Sequence, residues 1–254
     1  MPDSSAHSLK VLMLGVGDFF SRKYYSTSFL LLYGEAVLLV DCPSPLRRML
    51  YDASRISGLN YDLSQITDVL ITHIHGDHSN GLESLGFYKR FVENIPVTVH
   101  TIPEVSEVLW EHKLKASMYS HINLKTQETA YSAMEDYFTL SILKPDIANS
   151  INGIEVFIRY TRHYVPCIGI KAGYNGKWVG YSSDTIFDPA HIEFLADCDL
   201  IFHETNAAGH TPYEKLLALP EDIKKKMLLV HIPDDFDTSA SEIECAREGM
   251  LYEL

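Results

Sequence analysis

Thr72-His73-Ile74-His75-Gly76-Asp77-His78 gathers three imidazoles and one carboxylate within six residues. The apolar run Val69 to Thr72 leads straight into it and reads as a short buried strand, and a helical pattern resumes from Gly81 to Glu93. Ordering so many titratable groups at a strand end is costly unless something binds them, because each neutral ring needs partners for its nitrogens. In an extended chain a His-x-His pair projects both rings to one side, so both can grip one ion. The turn at Gly76 then directs Asp77 and His78 toward a second position nearby. Nitrogen and oxygen donors at this spacing suit Zn²⁺, with Mn²⁺ or Fe as alternatives.

Outward from that stretch, the chain reads as one α/β domain spanning 1–254. Its 254 residues, 46% of them hydrophobic, suffice for a core buried on two sides. Strands are expected at Leu9–Val16, Phe29–Tyr33, Ala36–Val40, Val97–Thr101, Ile154–Tyr160, Cys167–Tyr174, Lys177–Tyr181, Leu200–His203 and Met227–Val230. Helices are expected at Leu46–Ile56, His191–Asp197 and Tyr213–Leu219. Gly34-Glu35 and Asn175-Gly176 supply hairpin turns. From Pro103 to about Glu135 the apolar spacing of Val105, Leu109, Leu114 and Met118 predicts a helical insertion or lid at about 103–140, irregular near Ser120 to Asn123. Gly15-Val-Gly17-Asp18 lacks the rest of a GxGxxG fingerprint, so it is not read as a nucleotide loop.

With 34 acidic and 21 basic residues, the net charge of −13 argues against a long polyanion as a stable partner. No run of ~18 or more apolar residues occurs, and Met1 to Lys10 lacks a secretory pattern, so the expectation is a cytoplasmic protein without membrane contact. The four cysteines Cys42, Cys167, Cys198 and Cys245 show no CxxC spacing and read as reduced, buried thiols. His7, His100, His112, His121 and His191 have no ligand spacing and read as surface or packing residues.

HxHxDH after a hydrophobic strand resembles the metallo-β-lactamase superfamily, whose fold is a four-layer αββα sandwich. Later motifs of that superfamily have counterparts in order: His163 in Tyr160-Thr-Arg-His-Tyr, Asp184 in Gly180-Tyr-Ser-Ser-Asp, and His231 after Leu228-Leu-Val. Alone, His163 and His231 would read as structural histidines and Asp184 as a turn residue. The resemblance implies that His73, His75 and His163 hold a first ion, that Asp77, His78 and His231 hold a second, and that Asp184 bridges them. Metal binding lowers the pKa of water to ~7, and two ions ~3.5–4 Å apart can stabilise an in-line attack on phosphorus. Asp41, which ends its strand, and His203 are expected to support these residues from behind.

Phe202-His203-Glu204-Thr205 and Gly209-His210-Thr211 resemble the His-Glu-Ala-Thr and His-Ser-Thr elements of tRNase Z-like phosphodiesterases. That branch implies His210 as proton donor to the leaving oxygen and Glu204 as the group that keeps it protonated, so the expected catalytic residues are Asp77, Glu204 and His210. The chain lacks a long basic insertion to grip tRNA. Its size, its acidity, Asn80-Gly-Leu-Glu-Ser-Leu-Gly-Phe87 and Trp110 in Val108-Leu-Trp-Glu111 are similar to phage-type anti-Pycsar phosphodiesterases, which hydrolyse cyclic nucleotide signals. The expected substrate is therefore a 3′,5′-cyclic mononucleotide, and the alternative is tRNA 3′-end processing. Trp110 and Leu114 could also offer a surface to a second copy, giving a homodimer, and a tyrosine such as Tyr164 could cap a nucleobase.

Overall fold

The computed structural model describes residues 8–254, so His7 lies outside the described residues. Continuous apolar runs, buried on both faces, build β1 (Lys10–Gly15), β2 (Ser28–Tyr33) and β3 (Ala36–Val40), followed by α1 (Leu46–Ser57) and β4 (Asp68–Leu70). After the histidine stretch come α2 (Gly76–Ser79), α3 (Leu82–Tyr88), β5 (Val97–Thr101), α4 (Pro103–Val108) and α5 (Lys115–Met118). A small hairpin, β6 (Ser120–Ile122) and β7 (Thr129–Tyr131), precedes β8 (Phe138–Ile142), β9 (Asn149–Ile151), β10 (Ile154–Tyr160), β11 (Ile168–Tyr174) and β12 (Lys177–Tyr181). The chain closes with α6 (Pro189–Leu195), β13 (Leu200–Glu204), α7 (Tyr213–Leu217), α8 (Glu221–Lys224), β14 (Met227–Val230) and β15 (Leu251–Glu253).

Two sheets face each other in this α/β fold. One runs β15-β1-β2-β3-β4-β5-β8 and the other β14-β13-β12-β11-β10-β9. Phe29 of β2 crosses the interface, packing edge-on against Tyr181 at 5.2 Å and beside Phe202 at 5.6 Å. Both sheets have their outer faces covered by helices, α1 on β1 and α6 on β11, which completes the αββα layering. Removing the fully buried Phe29 ring would cost about 3–5 kcal/mol, because the cavity sits where neither sheet can relax alone.

The topology collects strand ends. β3, β4, β5 and β8 run parallel in the first sheet, as do β12, β13 and β14 in the second. The carboxyl ends of β3, β4, β10, β12, β13 and β14 deliver Asp41, the histidine stretch, His163, Asp184, Glu204 and His231, which the contacts below bring into one site. The carboxyl edge of a parallel sheet is where ligand sites form. Thr72 carbonyl accepts the Ile168 N–H across the sandwich at 3.2 Å, tying the two sheets together at this edge.

Two expectations change. Residues 120–131 form a hairpin instead of continuing the helix, because Asn123 side-chain oxygen captures the Lys125 N–H at 2.9 Å and Gln127 takes a left-handed turn. Trp110 and Leu114 are buried, not available to a partner. Leu109–Leu114 winds as a π-helix, with Lys115 N–H reaching Trp110 carbonyl, and Trp110 packs beside Tyr137. Strands β8, β9 and β15 were not expected: β9 and β15 have only three residues, while β8, Phe138-Thr-Leu-Ser-Ile142, does alternate apolar and polar residues, a strand signal that was missed at this sheet edge. All four cysteines are buried and free, as read. The Asn175-Gly176 turn has positive φ at both residues (54° and 80°), the geometry that matches strand twist in a two-residue hairpin.

Candidate metal centre

At the shared edge, donor atoms converge in two groups. In the first, His75 Nδ1 lies 3.2 Å from His73 Nε2 and 3.0 Å from His163 Nε2. Asp184 Oδ2 stands 3.7 Å from His73 Nε2 and 3.6 Å from His163 Nε2. In the second, Asp77 Oδ2 is 3.3 Å from His78 Nε2 and 3.2 Å from His231 Nε2, while Asp184 Oδ1 is 3.3 and 3.6 Å from the same nitrogens. Bonds of ~2.1 Å to a tetrahedral ion imply donor separations of ~3.4 Å, so both groups have the size of an ion's coordination shell. Asp184 offers one oxygen to each.

The charge distribution makes the same point. Burial opposes the His78 imidazolium, yet Asp184, Asp77 and Asp41 hold its pKa well above the ordinary value. Burial likewise opposes a charged His231, and Asp184 chiefly lifts it to about 9. In the first group burial dominates, keeping His73 well below its usual range and His163 at about 4. Burial alone would keep Asp184 neutral, but His231 and His78 hold it ionised. His78 Nε2 and Asp184 Oδ1 are buried without a hydrogen-bond partner, which is expensive unless an ion completes them. Donor type, spacing and these orphaned atoms all fit divalent metal.

Behind the donors, Asp41 accepts from His78 Nδ1 at 2.8 Å and from the Thr72 N–H and hydroxyl at 2.8 and 2.9 Å. Tyr181 hydroxyl reaches it at 3.3 Å. Asp41, Ser183 and His231 all take positive φ (56°, 49° and 54°). Backbone strain of this kind in non-glycine residues concentrates at functional sites. Thr72 and Tyr181 were not singled out from the sequence, since a threonine and a tyrosine in apolar strands carry no distinguishing pattern.

His210 Nδ1 meets Glu204 Oε2 at 2.8 Å and lies 4.0 Å from Asp184 Oδ2. Glu204 is fully buried and its other oxygen accepts the Thr185 N–H at 2.6 Å. Burial pushes the Glu204 pKa up; burial opposes a charged His210, but its bond to Glu204 raises it on balance. Gly209 precedes His210 at φ 91°. A Cβ there would overlap the Tyr164 ring, so only glycine lets Tyr164 lie against this turn.

His203 does not join the site. Adjacent strand residues point to opposite faces, so when Glu204 faces the donors His203 faces away. Its Nδ1 meets the Glu204 carbonyl at 2.7 Å and burial lowers its pKa to about 4. The expected support of the ligands by His203 is corrected accordingly. His100 and His191 are buried packing residues, bonded to Asp68 and to the Ser182 carbonyl. Lys113, missed in the sequence, donates to Ile74 carbonyl at 3.1 Å and Asn80 at 2.9 Å. It fastens the helical insertion to the histidine stretch in the same chain.

Similarity to known proteins agrees with this geometry. A protein from Paenibacillus sp. (strain J14), "Anti-Pycsar protein Apyc1", is 30% identical, with 97% of this chain and all of the relative covered. A protein of that name from Bacillus phage BSP38 is 29% identical over 98% of this chain and 99% of its own length. Among solved structures, the metallo-β-lactamase fold protein YhfI from Bacillus subtilis superposes with a TM-score of 0.76 at 18% identity, covering 97% of this chain and 99% of that one. The family model for anti-Pycsar protein Apyc1 matches residues 9–250, a span that takes in every donor and both members of the His210–Glu204 pair. The chain therefore belongs to the anti-Pycsar Apyc1 family and has the metallo-β-lactamase fold.

Proposed function

We propose that this chain is a two-metal phosphodiesterase that opens 3′,5′-cyclic nucleotides, pyrimidine and purine, to 5′-monophosphates and so counters cyclic-nucleotide antiphage signalling. The observation that carries this reading is the buried Glu204 bonded to His210 beside two donor groups joined by Asp184. Two Zn²⁺ ions, or Mn²⁺ or Fe in their place, fit the groups. His73, His75, His163 and Asp184 would hold one, and Asp77, His78, His231 and Asp184 the other. Bound ions of this kind polarise a phosphoryl group and lower the pKa of water to ~7.

The chain's own residues do the rest. Asp41 holds the His78 ring in one tautomer and direction through Nδ1. Glu204 occupies His210 Nδ1, which leaves the Nε2 proton for transfer. As water oxygen bonds to phosphorus it sheds one proton to solvent, the P–O3′ bond breaks and the His210 proton passes to the departing O3′, giving the 3′-hydroxyl and a 5′-monophosphate, after which His210 regains a proton from solvent. Asp77 and His231, whose donor atoms lie 3.2 Å apart, would both hold the second ion.

A chain of charge −13 without a basic arm has little counterion release to exploit on tRNA, whereas a cyclic nucleotide presents a single phosphate. No helix of the described residues is long and apolar enough to cross a membrane; a cytoplasmic location is part of the proposal. The insertion at about 103–140 would form a wall of the site in cis, since Lys113 ties it to the histidine stretch; its last residues, from Phe138, join β8. A homodimer is part of the reading: Leu124 at the β6–β7 turn is 85% exposed, beside exposed Ile122 and Tyr131. Metal-loaded protein is to be incubated with a panel of 3′,5′-cyclic nucleotides and with a tRNA precursor, and the products resolved chromatographically. Cyclic nucleotides should be opened and the precursor left largely uncut; processing of the precursor without cyclic-nucleotide turnover would reverse the assignment.

A further inference from the structure

The turn after β1 shows two adjacent phenylalanines to solvent, Phe19 at 52% and Phe20 at 82% exposure. Their rings meet edge to face at 5.1 Å. Exposed apolar surface of this size marks a contact site when it is held in place, and this turn is held from several sides. Asp234 accepts from the Ser21 hydroxyl at 2.7 Å and from the Arg22 and Lys23 N–H groups at 3.1 Å. Asp18 accepts the Phe20 N–H at 3.0 Å and Asn206 Nδ2 at 2.9 Å, and donates its own N–H to Ile232 carbonyl at 3.2 Å. Ile232 follows His231 directly and Asn206 follows Glu204 by two residues, so the aromatic turn is pinned to the segments that carry the site.

Phe19 also reaches the histidine stretch. A Cβ built on Gly76 would lie 3.1 Å from Phe19 Cε2. Gly76 separates His75, a donor of the first group, from Asp77, a donor of the second. The ring edge therefore lies against the backbone that links the two donor groups. We propose that Phe19 and Phe20 form the stacking platform for the planar base of the cyclic nucleotide, an inference that rests on the phosphodiesterase reading. Every nucleobase has a π-face, so such a platform takes pyrimidines and purines alike. A rigid aromatic pair loses little freedom on binding, which favours its use as an anchor.

The test compares KM for cyclic CMP and for ribose 3′,5′-cyclic phosphate lacking a base, using metal-loaded full-length protein. In the double variant Phe19→Ala, Phe20→Ala, the KM advantage of cyclic CMP over the base-less ester should shrink by about 10–100-fold, the span expected for one stacked base. Phe20→Trp should retain that advantage, which a merely structural loss would not allow. An unchanged KM ratio in the double variant, or loss of the ratio on Tyr164→Ala instead, would overturn the platform and leave the phosphodiesterase reading standing. A fall in molar mass by light scattering would assign the pair to a subunit contact and likewise overturn it. Failure of the parent protein to open either ester would overturn the phosphodiesterase reading itself, and the platform with it.

Discussion

The two donor groups share Asp184 and a single scaffold, yet their chemistry differs. The first has three histidines, and one of them, His75, is half-buried at the rim, while the His163 side chain is covered. The second is wholly buried, with two carboxylates among its four donors and a third, Asp41, directly behind. Burying carboxylates is costly unless positive charge accompanies them. Without metal, protons on His78 and His231 meet that need, as their raised pKa values show. The second pocket should hold its ion more tightly, and the first should exchange more readily. One sheet edge can thus make two unequal sites by varying only burial and the count of carboxylates.

The largest expected effect erases the difference. Asp184→Ala removes the oxygen that each pocket borrows, so metal content by elemental analysis should fall below two ions per chain and turnover should vanish, with circular dichroism little changed. Retention of two ions would refute the shared-ligand assignment. His210→Ala leaves both pockets intact and should keep both ions while slowing the reaction by about 10²–10⁴-fold. An ester with a poor leaving group should suffer more than an activated aryl phosphodiester, and equal losses would end the proton-donor role.

A change behind only one pocket sharpens the contrast. Asp41→Asn weakens the acceptor for His78 Nδ1, and chelator competition should show the second ion bound about 10–100-fold more weakly, with the first little affected. Equal loss from both pockets would mean that Asp41 supports the edge as a whole.

The smallest effect concerns the segment packed on the second pocket. His231 N–H bonds to Thr27 at 3.0 Å, and the neighbouring Tyr25 N–H is held by Glu248 at 2.6 Å. Burial chiefly, with the nearby Asp52 charge, pushes the Glu248 pKa from its ordinary 4.5 up to about 7. Between these values the unfolded chain has lost a proton that the folded chain retains. Stability contributed by neutral Glu248 is therefore complete below about 4.5 and falls as pH rises toward 7. Discounted for partial exposure, the loss is about 1–2 kcal/mol. Glu248→Gln should flatten the thermal midpoint across that window, and an undiminished slope would place the pH dependence elsewhere.

Read alone, the sequence determined the class of chemistry and the run of most elements. HxHxDH is dense enough that no ordinary packing need explains it, and Val97–Thr101, Ile154–Tyr160, Lys177–Tyr181 and Met227–Val230 are the observed strand limits. Their periodicity and turn residues are local properties, written in neighbouring side chains. Tertiary structure decided what local pattern cannot encode. It brought His163, Asp184 and His231 to His73–His78 from strand ends far along the chain, and it turned His203 away while turning Glu204 in, a choice set by which face of β13 meets the other sheet. Thr72 and Tyr181 at Asp41, Lys113 under the histidine stretch, and the Phe19–Phe20 turn pinned by Asp234 likewise depend on contacts between distant segments. A side chain's partners across such separations follow from how the two sheets close on each other, and that closure is a property of the whole chain's packing.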